Sequence, residues 1–526
     1  MRLEYEVPER PGLLALPALG DSGSLLRENE RLRDAWSFEI SGVPVAEFIE
    51  EARDQCIDLA GIFCEERGID FETRGRPLIV TGHQPAFFHA GVWVKNFVAD
   101  DLGRRLDGTS LNLIVDSDAA GRVPIEVPSW DGNRLIPRSL YLSPDSDPEV
   151  PFESLAPLPP DALEQITASI LGDLRSLPDP GPAQAFERFR PLPSAQAPLA
   201  NNLGELLASS RRAYEREAGT SYLELPVSSQ AQTGAFLLFF LELAERVEEF
   251  HADYNTCLDE YRDRHDVRSA AHPFPDLDVE GELYEMPFWL IDEAGRRATL
   301  WLRREGDLSM VCRADGCEVE LRRRATEDNL RTIRAAGVQI RPKGLALTLF
   351  NRMFLADLFV HGFGGAKYDR ATDEIVRSFF GVEPPRYLAA TATVRLDTGV
   401  TLPPKEKVDE LRQRLHALKH NPDKFAGDDS IAAGDRFSEL ARRKERLVGQ
   451  IGQPGADKKV LGREIRDVNG ELERMVAPLA QQTRRELAEL EEMEESRALA
   501  ESREWPFCYF HPLEIHHLIE HVLPCE

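Results

Sequence analysis

The run Arg76-Pro77-Leu78-Ile79-Val80-Thr81-Gly82, followed by His83-Gln84-Pro85-Ala86-Phe87-Phe88-His89-Ala90-Gly91, decides the fold. Its apolar residues are continuous rather than alternating and stop at a glycine, the pattern of a strand buried on both faces of a parallel sheet. Val92 to Leu106 then shows helical periodicity, and Leu111-Asn112-Leu113-Ile114-Val115 reads as a second strand ending in Asp116-Ser117-Asp118. Strand, loop, helix and strand form a βαβ unit, whose crossover makes the two strands parallel. The expected class is α/β with a parallel-sheet core.

Working outward, residues 1–75 read as a proline-punctuated lead-in and a helix, because Val45, Phe48, Ile49, Ala52, Cys56 and Leu59 recur at helical spacing. Residues 144–198 are rich in Pro, Ser and Asp, with a helix expected from Pro160 to Leu177, and read as an insertion packed on the core. Residues 200–265 are expected to be mostly helical, with an apolar face and many charges from Ala235 to Tyr261. Phe288 to Ile291 and Ala298 to Leu302, separated by Asp292-Glu293-Ala294-Gly295, read as a β-hairpin. A second α/β stretch runs from about Leu330 to Leu396. Beyond Pro404, Val408, Leu411, Leu415 and Leu418, and later Leu461, Ile465, Val468, Leu472, Met475 and Leu479, follow heptad spacing. Breaks at Asn421 to Asp435 and at Gly449 to Gly455 predict a folded-back antiparallel coiled-coil arm. The aromatic run from Trp505 to Phe510 is expected to return to the core. The predicted divisions are 1–143 and 330–403 for the core, 144–329 for connecting helices and the hairpin, 404–504 for the arm and 505–526 for the closing segment.

Composition excludes several classes. Across 526 residues, 91 acidic against 63 basic side chains leave a formal charge of −28, which repels a nucleic-acid backbone. No apolar run approaches the roughly 20 residues that span a bilayer, and the opening MRLEYEVPER lacks a signal-peptide layout, so no membrane partner and a cytoplasmic location are expected. Seven scattered cysteines argue against a disulfide scaffold and for buried thiols.

Two glycine-bearing loops carry the candidate chemistry. In the first, Thr81, Gly82, His83, Gln84 and His89, with Lys95 beyond, sit where open α/β sheets place ligands, before a helix N-terminus that favours anions. Histidine or glutamine there would equally serve as a helix cap. The second loop is Val360-His361-Gly362-Phe363-Gly364-Gly365-Ala366-Lys367-Tyr368-Asp369. Its glycines are expected to adopt positive φ and let the backbone approach a ligand, with His361, Lys367, Tyr368 and Asp369 beside them. It is neither a P-loop nor a dinucleotide fingerprint. Asp116 and Asp118 could hold an amine, a hydroxyl or a metal, or simply cap the next segment. Arg341 and Lys343, with Arg352 and Arg395, form a basic concentration suited to a carboxylate or phosphate. His272-Pro273 opens a proline-rich connector. His511, His516, His517 and His521 with Cys508 and Cys525 lack zinc-site spacing, so no metal site is expected.

These two stretches resemble the bacillithiol-biosynthesis cysteine-adding enzymes. That family's Thr-Gly-Gln-Gln loop, later glycine and lysine correspond to Thr81-Gly82-His83-Gln84, Gly91 and Lys95. Its Arg-Pro pair, Gly-Gly loop with Tyr, Phe-Gly helix end and Pro-Arg strand correspond to Arg341-Pro342, Gly364-Gly365 with Tyr368, Phe380-Gly381 and Pro385-Arg386. His83 replaces the family's first Gln, and Asp116-Ser117-Asp118-Ala119-Ala120 lacks the His found after its second strand. A shorter stretch, His83-Gln84-Pro85 with its aromatic pair, is similar to WbqC-like proteins. The resemblance implies a Rossmann-like core and a ligase-like step adding an amino acid or amine to a small anionic metabolite.

For such a step His361 is the expected general acid or base, His83 stabilises the leaving group, and Lys367, Lys95, Arg341 and Lys343 hold the anion. ATP or ADP is the nucleotide the His83 loop would take, and the arm offers a homodimer surface. A non-catalytic metabolite-binding scaffold and a nucleotidyl or glycosyl transferase are the alternatives.

Overall fold

A computed structural model describes residues 7–522 apart from 144–146, 266, 268–273, 314–315, 403, 427–433, 452 and 454–455. The chain folds as a mixed α/β protein around a six-stranded, mainly parallel sheet. Leu78–His83 lies inside it, with Thr109–Ile114 and then Leu223–Pro226 on one side. On its other side come Leu358–His361, Tyr387–Thr393 and the antiparallel edge strand Gly12–Leu16. All six residues of Thr109–Ile114 are buried, so a strand covered on both faces has no need of an alternating pattern.

Leu78–His83 leads into helix Ala90–Arg105 and on to Thr109–Ile114, moving one way across the sheet. Leu358–His361 leads into helix Phe363–Ile375 and on to Tyr387–Thr393, moving the other way. The order therefore reverses between two adjacent parallel strands, with Leu358 opposite Ile79 and Phe359 opposite Val80. Such a reversal opens a crevice at the carboxyl edge, because the two following helices diverge from it.

Helix Ala90–Arg105 is buried nearly all round. Trp93, Val94, Phe97, Val98 and Leu102 all pack in the core, and the closing segment covers the face that would otherwise meet water. Phe507 sits 5.2 Å from Trp93 and 5.6 Å from Phe189, ring centre to ring centre, and its N–H donates to Phe88 O at 2.8 Å.

A second, antiparallel sheet contains Leu283–Ile291, Arg297–Glu305, Leu308–Arg313, Gly316–Arg322 and Ile340–Pro342. Phe288 packs there against Phe236, Phe239 and Phe240 of helix Gly234–Glu245. Further on, helices Lys405–His420 and Gly434–Ile451 lie along Lys458–Glu495, which at 1.5 Å per residue is about 57 Å long. Val408 and Leu411 meet Leu487, whereas Leu418, Phe437, Leu440 and Leu447 cluster with Val468, Leu472 and Val476. These contacts cover much of the apolar face of each helix within the chain, while Val448 and Val460 stay exposed. Among the described residues no helix is long and apolar enough to cross a membrane.

The structure corrects three local readings. Leu223–Pro226, inside the span read as connecting, is a parallel strand of the main sheet, with Leu223 opposite Leu111. Its four-residue run carries a charged Glu224 in the middle, which hides it from an apolar-run reading. The span from Ala235 to Tyr261, read as mostly helical, is made of two helices, Gly234–Glu245 and Val247–His265, on either side of Arg246. The hairpin is part of a larger sheet, and Ile340–Pro342 joins that sheet rather than the parallel one. Finally, Cys312 and Cys317, directly opposed on neighbouring strands, form a disulfide, while Cys56, Cys64, Cys257 and Cys508 are buried thiols.

Phe507 fills space among Phe87, Phe88, Trp93 and Phe189. Phe507→Ala should therefore lower unfolding stability by about 3–5 kcal/mol in urea titrations. An unchanged midpoint would mean that the closing segment is not part of the core.

Candidate functional site

At the crevice, a cavity of about 670 Å³ is lined from both sides of the reversal. Gly82, His83, Gln84, His89, Gly91, Lys95 and Asp118 come from one βαβ unit, and His361, Gly362, Gly364, Gly365, Lys367, Tyr368 and Asp369 from the other. Two helix N-termini open into it, and such ends carry a partial positive charge with unsatisfied N–H groups.

The first helix is capped by its own sequence. His89 Nδ1 accepts from Gly91 N–H at 3.1 Å, and its Nε2 lies 3.4 Å from Glu504. Burial pulls the His89 pKa down, with Glu504 opposing. Gly91 is required by close approach, because a Cβ there would stand 2.4 Å from Ala392 O. At the second helix the glycines differ from expectation. None of Gly362, Gly364 and Gly365 has positive φ; Gly362 is the N-cap and the others form the first turn. The first intrahelical bond runs from Ala366 N–H to Gly362 O, so the Gly364 and Gly365 amides precede the ladder and lie on the pocket side without side chains. A Cβ on Gly365 would also come within 3.3 Å of His361 Nδ1.

Lys95 is buried, and its Nζ donates to Gly82 O at 2.9 Å. Burial, and then the charge of Arg211, lower its pKa to about 8. Arg211 belongs to a buried network behind the crevice, pairing with Glu215 at 3.0 Å and Glu224 at 2.6 Å. Trp93, Asn96 and Asn112 donate to the same two carboxylates. His83 is held neutral down to about pH 3 by burial and by Lys95, with its ring edge against Phe88 at 4.8 Å.

His361 is buried, and its Nε2 lies 2.8 Å from Asp369 Oδ2. Arg352 Nη1 donates to that same oxygen at 2.6 Å and Nη2 to Asp373 at 2.7 Å. Burial takes the His361 pKa below its usual 6.5 despite the carboxylate beside it. Burial works to raise the Asp369 carboxyl, but Arg352 first and then His361 overcome it, and the net shift is downward. With Nε2 beside Asp369, Nδ1 is the ring nitrogen on the side of Gly365.

Several sequence candidates do not line the cavity. Thr81 is buried, its hydroxyl donating to Val360 O at 2.8 Å across the two central strands. Asp116 is fully buried and accepts from Ser228 N–H at 2.9 Å and from its hydroxyl. Burial and then Glu153 raise the Asp116 pKa to about 7. Arg341 is taken up by Glu153 at 2.8 Å, because its strand belongs to the antiparallel sheet. Lys343 pairs with Glu285 and stands over the Trp289 ring. Arg395 donates to Glu501 O and Glu9 O. His511 caps the next helix by accepting from Leu513 N–H, and His521 lies against His517 O. Among the described residues no three His, Cys, Asp or Glu side chains are grouped to hold a metal ion. His272, Pro273 and Cys525 lie outside the described residues.

Sequence reasoning passed over Arg503, which lines the cavity from the end of the span read as the arm, and Arg211 behind it. Neither stands out, since each lies among ordinary surface-like charges in the chain. Compared with protein-family models and with curated proteins, the chain matches none.

Lys95 carries its charge below pH about 8 and loses it above. Anion affinity of the free protein should therefore fall as pH rises through about 8, and Lys95→Met should weaken binding and remove that limb in isothermal titrations. A limb that persists in the variant would assign it elsewhere.

Proposed function

We propose that this chain is a ligase-like or transferase-like enzyme that joins an amino acid or other amine to a small anionic metabolite in the crevice at the strand reversal. On this reading the parallel sheet is a Rossmann-like core and the helical arm an antiparallel coiled coil that offers a homodimer surface. The resemblance of the two loops to the cysteine-adding enzymes supports it.

One observation carries the reading: Lys95 and the bare turn at Gly364 and Gly365 share a cavity with His361, whose Nδ1 lies beside Gly365. The cation and backbone N–H groups hold an anion and stabilise charge that develops during reaction. An incoming ammonium must lose a proton before its nitrogen can attack. On this reading the electrophile is a carboxyl carbon bearing an activated oxygen. His361 takes one ammonium proton at Nδ1, and the nitrogen pair forms the C–N bond as the C–O bond breaks. The leaving oxygen departs with that bond's electrons beside Lys95, and the nitrogen's second proton passes to solvent. Gln84 donates to Asp118 at 2.7 Å, which places a carboxylate in the pocket for the amine. ATP or ADP is the nucleotide that could activate the leaving oxygen at this helix end.

Thermal-shift screening with nucleotides, amino acids and sugar acids identifies the ligands, since binding to the native state alone raises its stability. With a substrate in hand, His361→Asn should lower turnover by roughly 10²–10⁴-fold while binding is retained. Wild-type activity should fall as pH drops, with a limb below pH 6.5, because the neutral form is the base and its pKa lies below that value. A well-folded His361→Asn protein with normal turnover would move the chemistry away from this residue. Binding without turnover of any amine would favour a metabolite-binding protein instead.

A further inference from the structure

We propose that Arg352 is a positioning residue for His361: by occupying the Asp369 oxygen that the imidazole also meets, it keeps His361 in the neutral form that can accept a proton. The inference rests on the reading of His361 as the general base and goes further by naming the residue that holds that base ready.

Four elements bring the cluster together. His361 ends strand Leu358–His361, Asp369 and Asp373 stand one turn apart on helix Phe363–Ile375, Arg352 comes from the helical turn Asn351–Leu355, and Tyr387 opens strand Tyr387–Thr393. One oxygen, Asp369 Oδ2, is shared: Arg352 Nη1 donates to it at 2.6 Å, and His361 Nε2 lies 2.8 Å from it. Arg352 Nη2 is seated by Asp373 at 2.7 Å and by Pro385 O at 2.5 Å. The Tyr387 ring stands against both partners, 4.6 Å from the guanidinium carbon and 4.9 Å from the His361 ring centre. The arginine that looked in the sequence like part of an anion-binding patch is thus fixed inside the protein.

The charges decide what this arrangement does. A buried carboxylate beside a histidine ordinarily stabilises the imidazolium and raises its pKa. Here the same oxygen already carries a guanidinium, which keeps its proton at any pH the protein meets. Protonated His361 would set a second cation across one carboxylate from the first, with Lys95 as a third nearby. The direction of the His361 pKa agrees: burial lowers it most, Asp369 opposes, and Arg352 and then Lys95 lower it further. Asp373, the other carboxylate of the cluster, is engaged by Arg352.

The test follows the His361 ring by NMR in the full chain with labelled histidine, its signal identified by its loss in His361→Asn, and with folding checked by circular dichroism. Wild-type His361 should titrate below pH 6.5. Arg352→Gln should raise its pKa by about one unit or more, and past 6.5, because the carboxylate is then left to the imidazole. Unfolding alone would bring it only to 6.5, so a rise beyond that value separates this effect from lost structure. Arg352→Lys, which keeps the cation, and Asp373→Asn, which loosens its seat, should both leave the pKa below 6.5. Asp369→Asn should lower it beneath wild type, since the guanidinium then acts unopposed.

A folded Arg352→Gln protein whose His361 titrates as in wild type would overturn the proposal. Where that variant does not fold, an unchanged pKa in Asp369→Asn would do so. With a substrate in hand, the acid limb of turnover in Arg352→Gln should move up with the NMR value. Turnover with the wild-type limb would remove the positioning role and leave the ligase-like reading. A shifted titration in a protein that turns over no amine would keep the role and remove that reading.

Discussion

The architecture depends on the seam between Leu78–His83 and Leu358–His361, two strands that are far apart in the chain. Two side chains fasten it. Asp357, at the amino end, accepts from Leu78 N–H at 2.8 Å across 279 residues and from Arg53 at 2.7 Å. Thr81, nearer the carboxyl end, donates to Val360 O. Everything at the site depends on this pairing, because it sets the two loops side by side and turns two helix N-termini toward one cavity. The hydroxyl expected to meet a ligand therefore has a structural task.

The electrostatics of the cavity run against those of the whole molecule. A net charge of −28 would repel anions, yet at physiological salt exposed charges are screened beyond about 8 Å. Charges in contact and partly shielded from water interact by about 4 kcal/mol at 4 Å, against about 1 kcal/mol in water. Inside the cavity the charge of Lys95 therefore counts for more than the distant acidic surface does. Arg211, buried behind Lys95, lowers the lysine's pKa, and its two carboxylate partners keep that guanidinium satisfied in the interior.

Charged residues inside elements explain most of what was hard to read. Leu223–Pro226 looks like a surface stretch because of Glu224, yet Glu224 is fully buried and is met by Arg211, 13 residues earlier on the preceding helix. Arg341 and Lys343 looked like a basic patch beside the glycine loop. They lie instead on and just after a strand of the other sheet, opposite Glu153 and Glu285. Nearness in the chain was a poor guide there, because a strand of three residues can change sheets without any signature in composition.

The local elements and the two loops were written in the sequence, since apolar periodicity, helix-capping chemistry and glycine placement act over a few residues. From them came the strand at Leu78, the helix after His89, the heptads of the arm and the candidates His83, Lys95, His361 and Asp369. Which strands pair, which cations keep a carboxylate and which remain for a ligand were decided only in three dimensions. Those outcomes depend on contacts between residues hundreds of positions apart, such as Asp357 with Leu78 and Phe507 with Phe88. A buried charge has to find its partner wherever the packing brings one, and the chain order carries no record of that meeting.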